Sequence, residues 1–346
     1  MSARPAAPFP IVAPAAGRVT DPRSAAPSFS IVIPAYESAT TIGEAVESAL
    51  AQNPPPREVI VADDGSTDEL DEALTPFAAE ITTVRREHAG VAAARNSGWR
   101  AAQGEFVLFA DADDILLPGK LAALGELARE RPDVDLLCTD MYFERDGERS
   151  GRFGQVNSFP IDAQRTIILE RCFVIQPAFR RSRLQEIGGF DESLATAEDW
   201  DCVLRLVLAG SVAGLWDEPL AVYRIHPGSL THARTETMRD RLRMLEKARE
   251  NRDLRASEHS AAERAVVGQR ARTRLAEAQA AVAEGRPDAR RRCLRLTVTR
   301  SVEMRIRLWA FSIAILPRTL QRRVGRLLSG PSQLSRLLPS DDSDRP

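Results

Sequence analysis

Between residues 28 and 138 the chain alternates short apolar runs with longer amphipathic stretches. Runs rich in β-branched residues predict buried strands. These runs are Phe29–Ile33, Val59–Ala62, Ile81–Val84, Phe106–Ala110 and Val134–Cys138. Apolar positions at helical spacing predict helices between them, at Thr40–Gln52, Gly90–Gln103 and Pro118–Arg129. This alternation predicts a doubly wound, mostly parallel α/β sheet.

The two ends of the chain have a different pattern. Residues 1–27 are rich in proline and alanine, which predicts a disordered leader without a signal peptide. We expect the α/β domain at 28–235. Residues 236–328 carry Ala-, Leu- and Arg-rich stretches at helical spacing, which predict an α-helical extension, and 329–346 read as a flexible tail.

Composition excludes several classes of protein. The 346 residues are 43% hydrophobic with a formal net charge of −2, as in ordinary globular proteins, so no charge excess favours nucleic acid. The four cysteines form no C-x-x-C pair, which indicates free thiols and a cytoplasmic protein. No apolar run reaches the roughly 20 residues that a membrane helix needs.

Acidic residues follow two of the predicted strands. Asp63 and Asp64 follow the second strand, and Asp111, Asp113 and Asp114 follow the fourth. Ligands of parallel α/β sheets bind at the carboxyl ends of the strands. Carboxylate oxygens are what Mg²⁺ and Mn²⁺ bind, often shared with substrate phosphates. On an extended chain, Asp111 and Asp113 would point the same way; the alternative is a solvated turn.

Seven segments in order resemble the family 2 glycosyltransferases, which have the GT-A fold. They are Ser30–Tyr36 (SIVIPAY), Val61–Asp68 (VADDGSTD), Ala94–Gly98 (ARNSG), Phe109–Asp114 (FADADD), Gly188–Glu192 (GGFDE), Glu198–Asp201 (EDWD) and Tyr223–His226 (YRIH). Each motif alone is weak, but their shared order over about residues 28–235 is specific. The resemblance implies an inverting sugar transfer from a nucleotide-diphosphate sugar to an acceptor hydroxyl.

The resemblance also implies roles for individual residues. Residues expected to contact the nucleotide sugar are Pro34, Tyr36, Glu37, Asp63, Arg95, Asp111 and Ala112. Asp113, with Asp111 and His226, would bind Mn²⁺ or Mg²⁺. Asp199, in the family's Glu-Asp pair, would be the base that deprotonates the acceptor; the alternative for Glu198–Asp201 is an acidic helix N-terminus. For Arg95 the alternative is a structural salt bridge.

The acceptor is expected to be a saccharide or a lipid-linked sugar, in envelope or extracellular polysaccharide or glycoconjugate synthesis. A non-catalytic nucleotide-sugar-binding relative is the alternative function. A dehydrogenase or nucleotidylyltransferase is a poorer fit, since Pro34-Ala35-Tyr36 stands where a dinucleotide site would have G-x-G-x-x-G.

The C-terminal extension is strongly basic. Residues 286–326 hold twelve arginines and two acidic residues. One interpretation is a helix packed on the catalytic domain or a partner subunit. The other is peripheral contact with the inner membrane face through 300–328. Trp309 and Phe311 would be inserted, and the residues at the headgroups would be Arg305, Arg307, Arg318, Arg322 and Arg323. Binding of nucleic acid is not expected, because no nucleic-acid motif accompanies the arginines.

Overall fold

The structure, a computed structural model, describes residues 26–225, 234–299 and 304–316. Most of the predicted leader, the predicted tail and His226 lie outside the described residues. The domain boundaries at 27/28, 235/236 and 328/329 stay predictions.

One sheet contains all strands of the described residues. They are β1 (Phe29–Ala35), β2 (Glu58–Asp63), β3 (Ile81–Arg85), β4 (Phe106–Phe109), β5 (Ile115–Leu116), β6 (Leu136–Arg145), β7 (Glu148–Arg152), β8 (Ala178–Arg180) and β9 (Ala213–Ile225). Their order is β3-β2-β1-β4-β8-β6-β9-β5, with β7 paired to β6. The strands β3, β2, β1 and β4 are parallel, as is β6 with β9, whereas β8 runs antiparallel between β4 and β6. The predicted mostly parallel α/β sheet is confirmed.

Helices cover this sheet and extend beyond it. Those within the α/β part are α1 (Ile42–Leu50), α2 (Leu70–Leu74), α3 (Val91–Ala101), α4 (Lys120–Glu130), α5 (Phe153–Val156), α6 (Gln164–Glu170), α7 (Arg181–Ile187) and α8 (Glu198–Leu208). The later ones are α9 (Arg234–Arg249), α10 (Ala256–Ala283), α11 (Ala289–Thr297) and α12 (Met304–Ile315). Within the described residues, the predicted helical extension at 236–328 thus contains the four helices α9 to α12. No helix in these ranges is both long and apolar enough to cross a bilayer.

Side-chain alternation along the strands divides the interior into two cores. In β1, Ile31 and Ile33 belong to the core on one face of the sheet, and Val32 belongs to the core on the other. Successive side chains of a strand point to opposite faces, so a strand covered on both sides is apolar throughout. All seven residues of β1 are buried. The continuous apolar runs in the sequence have this origin.

Helix α3 lies close to the sheet because of one glycine. A Cβ added to Gly98 would overlap Cγ1 of Val32 in β1 and lie 3.3 Å from Cβ of Ala62 in β2. Both partners sit in the packed core, where extra volume forces side chains or backbone to shift. Gly98 therefore sets the distance between α3 and the strands that carry the first two motifs.

We expect Gly98→Ala to destabilise the protein by about 1–3 kcal/mol, because the added methyl group overpacks the interface between α3 and the sheet. Gly43→Ala in α1 is the matched control, since nothing lies within 4 Å of its added Cβ. That change should be neutral or stabilise by up to about 1 kcal/mol. Urea unfolding of both variants measures the difference, and equal stabilities would contradict the close approach at Gly98.

Candidate active site at the carboxyl ends of the strands

The motif residues meet at one edge of the sheet. Ala35 at the end of β1 pairs with Asp63 at the end of β2, and β4 runs parallel to β1 on its other side. The segments that follow β1, β2 and β4 therefore leave the sheet side by side. This edge is where α/β sheets bind ligands.

Hydrogen bonds fasten the loop after β1 to the loop after β2. Glu37, in the left-handed conformation with φ of 50°, accepts 2.8 Å bonds from the amide and hydroxyl of Thr67. Its own amide donates to the hydroxyl of Ser66. Asp63 is fully buried; one oxygen accepts the Ser66 amide, and the other lies 3.1 Å from Nε of Arg85. The predicted nucleotide contacts Glu37 and Asp63 thus belong to one rigid pair of loops, next to Pro34 in β1.

Two aromatic rings, those of Tyr36 and His88, stack beside these loops. The ring of Tyr36, 48% exposed, stacks on the imidazole of His88 with centroids 4.1 Å apart. His88 is held by the buried carboxylate of Asp64, whose oxygen lies 2.9 Å from Nδ1. Asp64 also accepts the amide of Gly90 at the start of α3. Sequence reasoning assigned Tyr36 to the site but missed His88, because a lone histidine outside a motif carries no local signal.

The acidic residues after β4 form a turn. The amide of Asp114 donates to the carbonyl of Asp111 over 3.1 Å, an i to i+3 bond, so the expected extended chain from Asp111 to Asp113 is wrong. Ala112 is buried within the turn, and Asp111 and Asp113 are half-buried. A strand requires pairing, and β4 stops at Phe109.

Asp114 points away from solvent. It is buried and accepts bonds from Nε2 of Gln176 and the amide of Arg224. Burial raises the pKa of Asp114 well above its ordinary range, and repulsion from Asp111 and Asp113 raises it further. A cation beside this turn would relieve that repulsion.

The carboxylates after β4 fit a divalent cation that is shared with a substrate. Within the described ranges, no three His, Cys, Asp or Glu side chains are grouped so as to hold an ion on their own. Mg²⁺ is commonly held by one or two carboxylates together with water and substrate phosphates. Half-buried Asp111 and Asp113 meet that requirement. His226, the third predicted metal ligand, lies outside the described residues.

Arg95 joins the turn after β4 to the start of α8. Its side chain is buried, with Nη2 2.8 Å from Oδ1 of Asp111 and Nη1 bonded to Oε1 of Glu198. Burial disfavours the charge, yet the two carboxylates outweigh it and raise the pKa of Arg95 above its ordinary value. Both ends of the fork-shaped guanidinium are used, which only arginine allows.

Asp199 lies beside this ion pair in the first turn of α8. It is exposed, and its Oδ1 accepts the amide of Trp200 over 2.7 Å. Its neighbour Glu198 is buried; burial raises the pKa of Glu198, and Arg95 opposes that shift. Ala197 takes the left-handed conformation just before the helix, and successive residues of a helix point in different directions, so Glu198 is buried while Asp199 is exposed.

A second residue of α3 holds the segment Gly188–Glu192. Asn96 donates to the carbonyl of Phe190 and to Glu192, and its Oδ1 accepts the Phe190 amide. Phe190 itself packs edge-on against Phe109 and Phe179 in the core. The Arg-Asn pair of the ARNSG motif thus has two distinct structural tasks, of which the sequence predicted only a role for Arg95.

Comparisons with known proteins show which proteins this chain resembles. Residues 30–188 match the sequence model described as Glycosyl transferase family 2. An uncharacterized glycosyltransferase of Rickettsia typhi is 28% identical over 221 residues, 60% of this chain and 66% of that protein. The succinoglycan biosynthesis protein ExoU of Rhizobium meliloti is 31% identical over 202 residues, 52% of this chain and 57% of that protein. The chain therefore spans under two thirds of each of these relatives.

Solved structures share the fold. S. aureus TarS 1-349 in complex with UDP-GlcNAc has a TM-score of 0.61 and 19% identity over 87% of this chain and 91% of that one. The mannosyltransferase PcManGT from Pyrobaculum calidifontis, in complex with GDP-Man and Mn²⁺, has a TM-score of 0.55 and 20% identity, with 88% of each chain covered. The predicted GT-A fold and the family resemblance are confirmed.

We expect Arg95→Met to destabilise the protein by about 3–5 kcal/mol, because it leaves the buried Glu198 without a partner. Glu198→Gln keeps the Asp111 partner of Arg95 and should cost less. In the double variant the losses should fall short of their sum by at least about 1 kcal/mol, since the two groups interact directly. A urea-unfolding double-mutant cycle measures this, and additive losses would contradict a coupled buried pair.

Lys120 provides a pH-dependent prediction near the same turn. It is buried, its Nζ lies 3.1 Å from Oγ1 of Thr139, and burial lowers the pKa of Lys120 to about 8. The unfolded chain keeps this proton up to about pH 10.4. Between these values the unfolded state binds more protons, so the contribution of Lys120 to stability increases with pH, by on the order of 3 kcal/mol in all.

Lys120→Met removes this titration. We therefore expect the wild type to gain stability relative to the variant between pH 7.5 and about pH 10, the range in which the native lysine loses its proton. Denaturant unfolding of both proteins at the two ends of that range measures it. A constant difference between them would contradict the lowered pKa.

Proposed function

Because its residues 30–188 belong to glycosyl transferase family 2, we propose that this protein is an inverting, metal-dependent glycosyltransferase. It would move a sugar from a nucleotide-diphosphate sugar to an acceptor hydroxyl. The reaction would take place in the cytoplasm and belong to the synthesis of envelope or extracellular polysaccharides or glycoconjugates. The observation that carries this proposal is the Arg95 bridge, which joins Asp111 after β4 to Glu198 beside Asp199. The turn that would bind the diphosphate and the residue that would act as the base then belong to one site.

The donor nucleotide would lie on the loops after β1 and β2. Tyr36 offers an exposed ring for stacking, and Pro34 and Glu37 border the same loop. Asp63, whose buried carboxylate accepts the Ser66 amide, would also accept a hydrogen bond from a base edge. Asp111 and Ala112 would border the ribose and diphosphate. The nucleotide sugars named for the two similar structures, UDP-GlcNAc and GDP-Man, support a donor of this class.

Asp113 and Asp111 would hold Mn²⁺ or Mg²⁺, with His226 as a further ligand. Such an ion neutralises the charge that develops on a diphosphate leaving group. The pair of half-buried carboxylates and the raised pKa of Asp114 behind them support this assignment. The Mn²⁺ named for the mannosyltransferase supports it as well.

Asp199 would accept the proton of the acceptor hydroxyl. The oxygen then forms a bond to the anomeric carbon on the face opposite the phosphate, while the bond from that carbon to the diphosphate breaks. A single displacement of this kind inverts the anomeric configuration. Exposure of Asp199 leaves it accessible to a saccharide or lipid-linked acceptor, and its hydrogen bond to the Trp200 amide fixes one of its oxygens.

Substitution of the two carboxylates separates their roles. Asp199→Asn should lower turnover by a factor of about 10²–10⁴ and leave donor binding unchanged, because it removes only the base. Asp113→Asn should lower the metal-dependent stabilisation by the donor. The assays are transfer from a panel of UDP-, GDP- and dTDP-sugars, and thermal unfolding with each sugar with and without Mn²⁺.

Asp133→Asn is the control, since Asp133 is exposed and pairs with Arg131 after α4. For the nucleotide that the protein uses, a donor at 100 times its Kd should stabilise the folded state by about 2.7 kcal/mol. Unchanged function in both site variants would favour the alternative, a non-catalytic nucleotide-sugar-binding protein. Retained metal-dependent binding in Asp113→Asn would remove that residue from the metal site.

A further inference from the structure

Large apolar side chains are exposed mainly on the last two helices. Of the nine such residues exposed within the described ranges, six fall between 294 and 315. They are Leu294, Val298, Met304, Leu308, Phe311 and Ile315, with exposures from 43% to 76%. Scattered single apolar residues on a surface are normal, whereas a contiguous group indicates an interaction site.

On α12 the exposed residues form one stripe. Met304, Leu308, Phe311 and Ile315 follow the spacing i, i+4, i+7 and i+11, which places them on one side of a helix. The opposite side, with Ala310, Ile313 and Ala314, is buried against α10 and α11. The helix is therefore already packed on one face and apolar on the other.

On α11 the exposed face is basic as well as apolar. Cys293 and Leu296 point into the small core that α10, α11 and α12 share. The other side exposes Leu294 together with Arg290, Arg291 and Arg295, none of which pairs with an acidic group among the described residues. From 289 to 316 the sequence has seven arginines and a single acidic residue.

Helix α10 connects this surface to the main core of the α/β part. Its 28 residues span about 42 Å. Ala261, Ala262 and Val266 in its first part belong to the main core, and Ala278, Ala281 and Val282 in its last part belong to the core beneath α11 and α12. The exposed face of α11 and α12 thus lies on a separate small core. That core is at the end of α10, and the main core holds the beginning of the same helix.

We propose that the exposed faces of α11 and α12 dock on an anionic lipid surface. Leu308 and Phe311 enter the acyl boundary, and Arg290, Arg291 and Arg295 contact acidic headgroups. A second copy of the chain fits less well, because a symmetric contact would bring two basic faces into one interface, and residues 289–316 hold seven arginines and a single acidic residue. The proposal does not depend on the chemistry at the sheet edge.

The structure also changes which residues contact the bilayer. The sequence interpretation inserted Trp309 beside Phe311. Trp309 packs instead against the core of α10, α11 and α12, and Leu308 and Met304 share the exposed stripe with Phe311. Part of the surface lies before residue 300, where the sequence interpretation began it.

Vesicle co-sedimentation of the full chain tests the proposal. The protein should sediment with phosphatidylcholine vesicles that contain phosphatidylglycerol, remain in solution with phosphatidylcholine alone, and dissociate at high salt. The double variant Leu308→Ser with Phe311→Ser should bind the anionic vesicles at least about tenfold more weakly. Replacing Arg290, Arg291 and Arg295 by Gln should weaken binding about a hundredfold, at about fivefold per charge.

Matched controls use exposed residues elsewhere. Ile161→Ser with Val267→Ser removes two exposed apolar side chains, and Gln at Arg57, Arg129 and Arg252 removes three exposed charges. Both controls should bind like the wild type, and thermal unfolding confirms that every variant is folded. No binding to anionic vesicles, or equal loss in the controls, would overturn the proposal. So would a dimer in light scattering that Leu308→Ser dissociates, because a second copy would then cover the stripe.

Discussion

The buried guanidinium of Arg95 is the interaction on which the arrangement of the site depends. It joins Asp111 and Glu198, residues that lie 87 positions apart in the chain and that would repel each other without it. A buried charge is tolerated only where its partners are held in good geometry. The turn after β4 and the start of α8 are consequently fixed relative to α3, and with them the positions of Asp113 and Asp199.

Helix α3 fixes these two segments through residues that lie within a few turns of one another. Gly98 brings the helix close to β1 and β2, so that Arg95 reaches the turn after β4. Asn96 points elsewhere and fixes the segment around Phe190, which lies over the same core. The ARNSG motif therefore packs α3 against the sheet and positions the neighbouring segments. Any function at the strand ends depends on how closely this helix approaches the sheet.

The sequence predicted the architecture because a strand that is covered on both faces of the sheet appears in the sequence as a continuous apolar run. The apolar runs correspond to β1, β2, β3 and β4 within one or two residues, and β6 begins two residues after the predicted Val134. The local geometry at the strand ends was harder to predict from the sequence. The chain after Phe109 closes into a turn because Asp114 bonds back to Asp111, and a run of aspartates does not encode that bond. His88 reaches Tyr36 only through the pairing of separate strands, for which a single sequence holds no signal.

The same principle that locates the cores also locates the C-terminal surface. In the α/β part, strands that are apolar throughout are covered on both sides. In α12 the apolar positions surround more of the helix than α10 and α11 can cover, so the stripe from Met304 to Ile315 stays exposed. Exposed apolar side chains combined with unpaired arginines on α11 suit the surface of an anionic bilayer, which is hydrophobic in its interior and negatively charged at its headgroups. The last part of α10 lies in the small core beneath this surface, and its first part belongs to the main core that also holds α3 and α8, so one helix joins the proposed lipid surface to the core that carries the candidate site.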